Sequence, residues 1–294
     1  MVPHKTAAKT GGTLIMDIQW YPGHMTKARR EMQDNLKLVD LIVELIDARI
    51  PFSGRNPDIQ AMGAQKARLL ILNKADLADP ESTRRWCAFY REQGLETLAL
   101  DSRERSVKKQ VVSKIQTACA AKLERDRRKG IRTSMIRVMV TGIPNVGKST
   151  LINSLAGRAS AKTGNRPGVT RGQQWIHLGG GIDLLDTPGI LWPRFDDPAA
   201  GVRLAWIGSV RDEILPMEEL AQQLLSFLCE KYPSVLTQRY SIEESSDPAG
   251  MLSAIASARG CLKAGGETDT EKAAALLLDE FRHAVLGRFT LEEP

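Results

Sequence analysis

Over the first two thirds of the chain, short β-branched and aliphatic runs alternate with stretches whose apolar positions recur at helical spacing. Leu41 to Asp47, Leu69 to Asn73, Thr97 to Leu100, Ile136 to Thr141, Gln174 to Leu178 and Ile182 to Asp186 have the length of buried strands. Pro80 to Gln93, Ser106 to Lys122 and Ser149 to Ala156 predict helices. That alternation predicts βαβ units and a mainly parallel sheet. From about Pro198 the strand pattern stops. Met217 to Glu230, Met251 to Arg259 and Thr270 to Val285 then predict helices, with starts marked by Pro216, Asp247-Pro248 and Thr268 or Thr270.

At 294 residues and 42% apolar content the chain can bury one full α/β core and a smaller second unit. The expected division is a lead-in over 1–16, an α/β domain over 17–195 and a helical domain over 196–294. Residues 1–15 carry His4, Lys5 and Lys9 but neither the apolar core of a secretory signal nor the arginines of a transit peptide, and Met16 is the expected start. A disordered lead-in and a bacterial cytoplasmic setting are expected, ahead of a mitochondrial matrix. The longest apolar runs fall far short of the roughly 20 residues that cross a bilayer. Cys87, Cys119, Cys229 and Cys261 form no CxxC pair, so neither a zinc site nor a disulfide framework is suggested.

Charge changes the picture more than composition does. The chain carries +6 in total, but residues 201–294 hold nine Lys and Arg against fifteen Asp and Glu, a net −6 that leaves +12 on residues 1–200. Arg125, Arg127, Arg128, Lys129 and Arg132 form the densest basic stretch. Such a run is either a solvated helical face or a surface for polyphosphate backbones. Few aromatics argue against single-strand stacking and favour folded RNA read by shape and phosphate.

The strongest chemical signal is Gly142-Ile143-Pro144-Asn145-Val146-Gly147-Lys148-Ser149, between a strand and a helix that runs on through Thr150. Its glycines let backbone N–H groups face phosphate oxygens, Lys148 neutralises the β and γ phosphates, and Ser149 places a hydroxyl on Mg2+. Asn73-Lys74-Ala75-Asp76 ends a strand where a ligand loop belongs. Asp76 suits guanine N1 and the exocyclic amine, while Asn73 and Lys74 brace the loop and cover the ring. Ser102 follows the next strand and keeps a backbone role near the guanine carbonyl, although Arg103 stands where a small residue is usual. Asp186-Thr187-Pro188-Gly189 puts Asp186 beside a Mg2+-bound water and the Gly189 amide at the γ-phosphate. Thr170 offers a second hydroxyl to Mg2+, or Pro167-Gly168 is an ordinary turn. These signals imply GTP or GDP with Mg2+. The base-reading loop precedes the phosphate loop, the reverse of the usual order, so the site is assembled from a cyclically reordered chain.

Ile190 follows Gly189 where Ras-like enzymes carry the glutamine that orients water. Hydrolysis is therefore slow, or another group reaches the water. The segment Asp47-Ala48-Arg49-Ile50-Pro51 reads as a structural loop, with Arg49 and Arg55 also open to an RNA contact.

Together with Trp20-Tyr21-Pro22-Gly23-His24-Met25 and Arg55-Asn56-Pro57, these motifs resemble the ribosome biogenesis GTPase A (YlqF-type) family from about Asp17 to the end. The resemblance implies an α/β fold with a circularly permuted P-loop GTPase domain and a small all-α C-terminal domain that binds ribosomal RNA. It implies action in late maturation of the large ribosomal subunit, with hydrolysis stimulated by the particle. The alternative is a nucleotide-gated RNA-binding placeholder whose hydrolysis is incidental. His24 becomes the candidate catalytic group beside Lys148, or it caps the turn at Pro22-Gly23. Asn145 is similar to the asparagine that ligates K+ in potassium-stimulated GTPases, or it stabilises the loop. The acidic C-terminal domain would then meet RNA through Arg259, Lys263, Arg282 and Arg288, or through a surface shared with the GTPase domain. Partners are the large-subunit precursor and its rRNA, without membrane or DNA, and the protein is expected to be a monomer off the particle.

Overall fold

The structure is a computed structural model that describes residues 30, 32–131, 134–157, 174–187 and 197–294. His24, Thr170, Gly189 and Ile190 lie outside them. The elements run α1 (residues 32–38), β1 (Leu41–Asp47), α2 (Pro57–Met62), β2 (Ala67–Asn73), α3 (Pro80–Glu92), β3 (Glu96–Leu100), α4 (Val107–Ala118), α5 (Ala120–Arg128), β4 (Ile136–Gly142) and α6 (Lys148–Ala156). Then follow β5 (Gln174–Gly179), β6 (Ile182–Asp186), α7 (Pro198–Trp206), a 3-10 turn (Asp212–Ile214), α8 (Met217–Lys231), α9 (Val235–Tyr240), α10 (Pro248–Ala258) and α11 (Thr270–Arg282).

All six expected strands form one sheet in the order β3-β2-β1-β4-β6-β5. Every neighbouring pair is parallel except β5 with β6, a hairpin. The continuous apolar run of β1 reflects its central place, since all seven of its residues are buried. Alternation sorts its side chains between two layers. Leu41, Val43 and Leu45 share a cluster with Val107, Val111 and Ile115 of α4 and Leu151, Ile152 and Leu155 of α6. On the other side, Ile46 packs in the cluster of Trp86 and Tyr90 on α3, and Ile42 in that of Met32 and Leu36 on α1. Helix α3 starts where Asp79 accepts from Ser82 N at 2.6 Å ahead of Pro80, a side-chain cap followed by the residue best suited to a first helical turn.

The expected helix Ser106 to Lys122 is two helices. Its apolar positions Val107, Val111, Ile115 and Cys119 are buried at one-turn intervals. The chain bends at Cys119, and α5, with the sequence AAKLERDRR, has no apolar stripe and buries none of its residues. Arg125, Arg127 and Arg128 of the basic run thus lie on a helix laid over the surface. Helices α1, α2, α7 and α9, six to nine residues long or shorter than three turns, are too brief for periodicity to announce.

The helical C-terminal region shares the large α4/α6 cluster, which continues through Leu204 of α7, Leu224 of α8, Ile255 of α10 and Leu277 of α11. No helix among the described residues is long and apolar enough to cross a membrane. After α11 the chain returns to the sheet layer. Leu291 N donates to Arg49 O at 2.8 Å, and the Trp86 indole donates to Glu292 O at 3.1 Å. The buried Glu292 carboxylate accepts from Phe52 N at 2.7 Å, Ser53 N at 3.1 Å, the Ser53 hydroxyl and Arg203 Nη1 at 3.2 Å. Replacing Glu292 by Ala strands those donors, and is expected to cost roughly 3 kcal/mol, seen as a lower urea midpoint with an unchanged slope. An unchanged midpoint would show that the tail does not tie the two regions together.

Candidate nucleotide site

The parallel strands bring the ends of β1, β2, β3, β4 and β6 to one edge of the sheet, where loops can converge on a ligand. The loop from β4 to α6 turns through Asn145 and Gly147, with φ of 57° and 100°. Position 147 admits only glycine, because a Cβ there would lie 2.4 Å from Asn73 Nδ2. That contact is functional in the loop's geometry. Asn73 Nδ2 donates to Val146 O at 2.7 Å, while its Oδ1 accepts from Ser102 N at 3.0 Å and Ser102 Oγ at 2.7 Å. Ser154 of α6 donates to Ser102 O at 2.6 Å and closes the ring of contacts. The structure therefore brings Asn73, Val146, Gly147 and Ser102 together. Ser149 and Thr150 follow Lys148 in the first turn of α6.

Lys148 is buried and donates from Nζ to Gly142 O at 3.2 Å and Ile143 O at 3.1 Å. Burial pushes its amine down to about 8, against the opposing pull of Asp186. Asp186 ends β6, and burial raises its carboxyl above the ordinary value while Lys148 works the other way. Its Oδ1 is buried with no hydrogen-bond partner among the described residues. A cationic amine folded onto carbonyls beside an unpartnered carboxylate oxygen fits a phosphate with its divalent cation.

At the base end, Lys74 has φ 57° and places Nζ 3.2 Å from Asp47 Oδ2. Asp47 also receives a fork from Arg49, with Nε at 2.9 Å and Nη2 at 2.8 Å. Ala75 N donates to Leu100 O at 3.2 Å and holds the loop against β3. Asp76 faces a cleft of about 810 Å³ that Ser102, Asn145 and Thr150 also line. The opposite wall is Gly208, Arg211 and His283 of the helical region. Asn145 Nδ2 donates to Gly208 O at 2.7 Å, and Ser209 Oγ to Pro144 O at 3.0 Å.

The structure decides between the two open readings of Arg49 and Arg55 and corrects that of Arg282. Arg49 is 2% exposed and its remaining Nη1 donates to Arg282 O at 3.0 Å. Arg55 is buried, paired with Glu44 at 3.0 Å and held over the Tyr90 ring. Neither is on the surface for RNA. Arg282 is spent on Asp212 at 2.7 Å and on the carbonyls of Ala205 and Trp206, whereas Arg259, Lys263 and Arg288 are exposed. Gly208 and Ser209 escaped notice because a glycine and a serine more than 60 residues from the phosphate loop carry no sequence signal of contact with it.

The Lys148 amine gives the nucleotide-free protein a pH signature. Its folded value of about 8 lies below the 10.5 of an unperturbed lysine, so the unfolded chain binds more protons between those limits. Stability from this group is thus lowest below about pH 8 and rises toward 10.5. Lys148→Met is expected to be more stable than the parent at pH 7, with the difference shrinking as pH rises through that window in thermal denaturation. A constant difference would contradict the buried charge.

The family sequence model described as "50S ribosome-binding GTPase" matches residues 137–245. The match starts at the strand before the phosphate loop and leaves Asn73 to Asp76 outside, as a reordered chain requires. The chain is similar to ribosome biogenesis GTPase A of Priestia megaterium, 49% identical over 281 residues that cover 95% of this chain and 98% of that one. The Bacillus cereus protein of the same name is 45% identical over 280 residues, 95% of each chain. The GDP-bound structure of TM YlqF superposes with a TM-score of 0.66 at 30% identity, covering 90% of this chain and 99% of that one. With the reordered loops meeting in one site and identity of this extent along the chain, the protein belongs to the ribosome biogenesis GTPase A family and is a GTP-hydrolysing enzyme of ribosome biogenesis.

Proposed function

We propose that this GTPase acts in late assembly of the large ribosomal subunit, that the particle stimulates its hydrolysis, and that hydrolysis is coupled to release. The observation that carries the proposal is the pair of hydrogen bonds joining phosphate loop to helical region, Asn145 to Gly208 and Ser209 to Pro144. A rearrangement of that loop on γ-phosphate loss reaches the helical region through two bonds rather than through a linker. In this reading Asp76 reads guanine, Asn73 and Ser102 fix its loop, and Lys148 meets the β and γ phosphates. Ser149, Asp186 and Thr170 would hold Mg2+, which would neutralise phosphate charge. The Gly189 amide meets the γ-phosphate. Asn145 would ligate K+, and His24 would serve the attacking water. The setting is bacterial cytoplasm.

Ribosomal RNA would meet the exposed end of α5. Arg127 and Arg128 are 79% and 78% exposed, and among the described residues both pair with Glu124 at the surface. Such pairs are worth little in water and yield readily to phosphate. Arg128, with Arg125 and Lys129, borders a shallow depression of about 390 Å³.

The test is GTP hydrolysis in potassium and in sodium, with and without large subunits, for the parent and for His24→Ala. Strong stimulation is expected, with a loss of roughly 10² to 10⁴ in the stimulated rate for the variant. Unstimulated hydrolysis with GTP-dependent subunit binding intact would instead support a nucleotide-gated placeholder. Charge reversal at Arg127, Arg128 and Lys129 is expected to weaken rRNA binding and to lower its salt slope by about one per lost phosphate contact, leaving GTP affinity as it was. An unaltered slope would remove α5 from the interface.

A further inference from the structure

Arg103 occupies the base end of the cleft in a way the site's general chemistry does not explain. It follows Ser102, whose backbone and hydroxyl are fixed on Asn73, so the start of its side chain is fixed as well. Its Nη2 donates to Asp76 Oδ2 at 2.6 Å and to Asp101 Oδ2 at 2.8 Å, and its Nε donates to Asp101 Oδ1 at 2.9 Å. The other oxygen of Asp76, Oδ1, is buried and without a partner among the described residues. Arg103 and Asp76 both line the 810 Å³ cleft.

Guanine presents two donors along one edge, the ring N1–H and the exocyclic amine, spaced to meet both oxygens of one carboxylate. One of those oxygens is buried and has no partner among the described residues, and the other already carries an N–H donor. We propose that Arg103 stands in for the exocyclic amine of guanine in the nucleotide-free protein and yields Asp76 Oδ2 when the base enters. The inference rests on Asp76 being the base-reading carboxylate.

Arg103 is suited to yielding. Its side chain is 67% exposed, so its pair with Asp76 is screened by water and cheap to open. Asp101 keeps a two-point hold on the guanidinium after Asp76 is released. The incoming amine then makes a charge-assisted bond to the same oxygen inside a more enclosed cleft. The arginine therefore does two things. It spares Asp76 an unpaired charge between turnovers, and it taxes guanine binding by the worth of one exposed ion pair. A base without the exocyclic amine, such as hypoxanthine, needs only Oδ1 and escapes the tax.

The experiment measures equilibrium binding and dissociation rates of fluorescent ribose-labelled GTP, GDP, ITP and XTP on the full chain, for the parent, Arg103→Ala, Arg103→Lys and Asp76→Asn. Arg103→Ala is expected to tighten GTP and GDP about two- to fivefold through slower dissociation, the factor an exposed ion pair supports. ITP stays where it was, so the preference for GTP over ITP rises by the same factor, and Arg103→Lys lies near the parent. Weaker binding of every nucleotide, or an equal gain for ITP, would reduce Arg103 to a support of its loop and overturn the proposal. Asp76→Asn separates the two levels of the argument, since an amide donor suits the C2 carbonyl of xanthine and should move preference from GTP to XTP. No move to XTP would bring down the base reading and the proposal with it. A move to XTP with an unaltered GTP to ITP ratio in Arg103→Ala would sink the role of Arg103 alone.

Discussion

The side chain of Asn73 is the constraint on which the site depends. Its amide spends its donor on the phosphate loop at Val146 and its acceptor on the loop after β3 at Ser102, so three loops from distant parts of the chain become one object. The residues it joins are 73 and 29 positions away. That explains how the order of the motifs can be permuted without loss of the site. Covalent continuity between the base and phosphate loops is not what holds them at the right distance; a buried amide bonded at both its nitrogen and its oxygen does. Gly147 completes the arrangement, since any side chain there would expel Asn73 from its seat.

Around that amide the protein carries charge that an apolar core would not choose. Burial pushes the Asp47 carboxyl upward, but Arg49 and Lys74 outweigh it and hold the group well below the usual carboxylate range. Lys74 itself is lowered by burial, with Asp47 pulling it back. This trio leaves neither oxygen of Asp47 without a cationic partner and braces the base loop. The pair at the phosphate end is less fully partnered. Lys148 leans on two carbonyls, and Asp186 leaves one oxygen without a partner among the described residues. Buried polar groups short of partners cost stability, and sites tolerate that cost where a ligand will supply the missing contacts. The contrast separates a structural cluster from a receptive one within a single cleft.

The sequence made the strands and the phosphate loop legible because both are local. A buried strand is a short apolar run, and a phosphate loop is a fixed spacing of glycines ahead of a helix. It did not reveal where the arginines point. Arg49 and Arg55 sit in a loop rich in turn formers, which leaves a structural role and an RNA contact both open; one is clamped on Asp47 and the other on Glu44 beneath Tyr90. An arginine is equally at home in water and in a bidentate buried pair, so its identity says nothing about its exposure. The seat of Glu292 was hidden for a different reason. Its partners at Phe52 and Ser53 lie about 240 positions away, and no periodicity spans that distance. The bend at Cys119 lay between the two cases: the apolar spacing of α4 was visible, but the composition of α5 had to be read separately to see that the helix leaves the core.

The shared core limits how nucleotide state can be transmitted. Leu204, Leu224, Ile255 and Leu277 of the helical region belong to the same apolar cluster as Val111 of α4 and Leu151 of α6. Swinging the helices away as a free body would expose that surface at roughly 25 cal/mol for each Å². A separation of even a few hundred Å² would therefore cost several kcal/mol, more than the worth of the two hydrogen bonds at Gly208 and Ser209. The tail adds to the restraint by seating Glu292 under the loop at Phe52 and Ser53. Large domain rotation is thus an expensive response to a change in the phosphate loop, and a local one is cheap. The segment from Gly208 to Asp212 touches Asn145 on one side and Arg282 on the other, so a local shift there would meet both the phosphate loop and α11 with the core left closed.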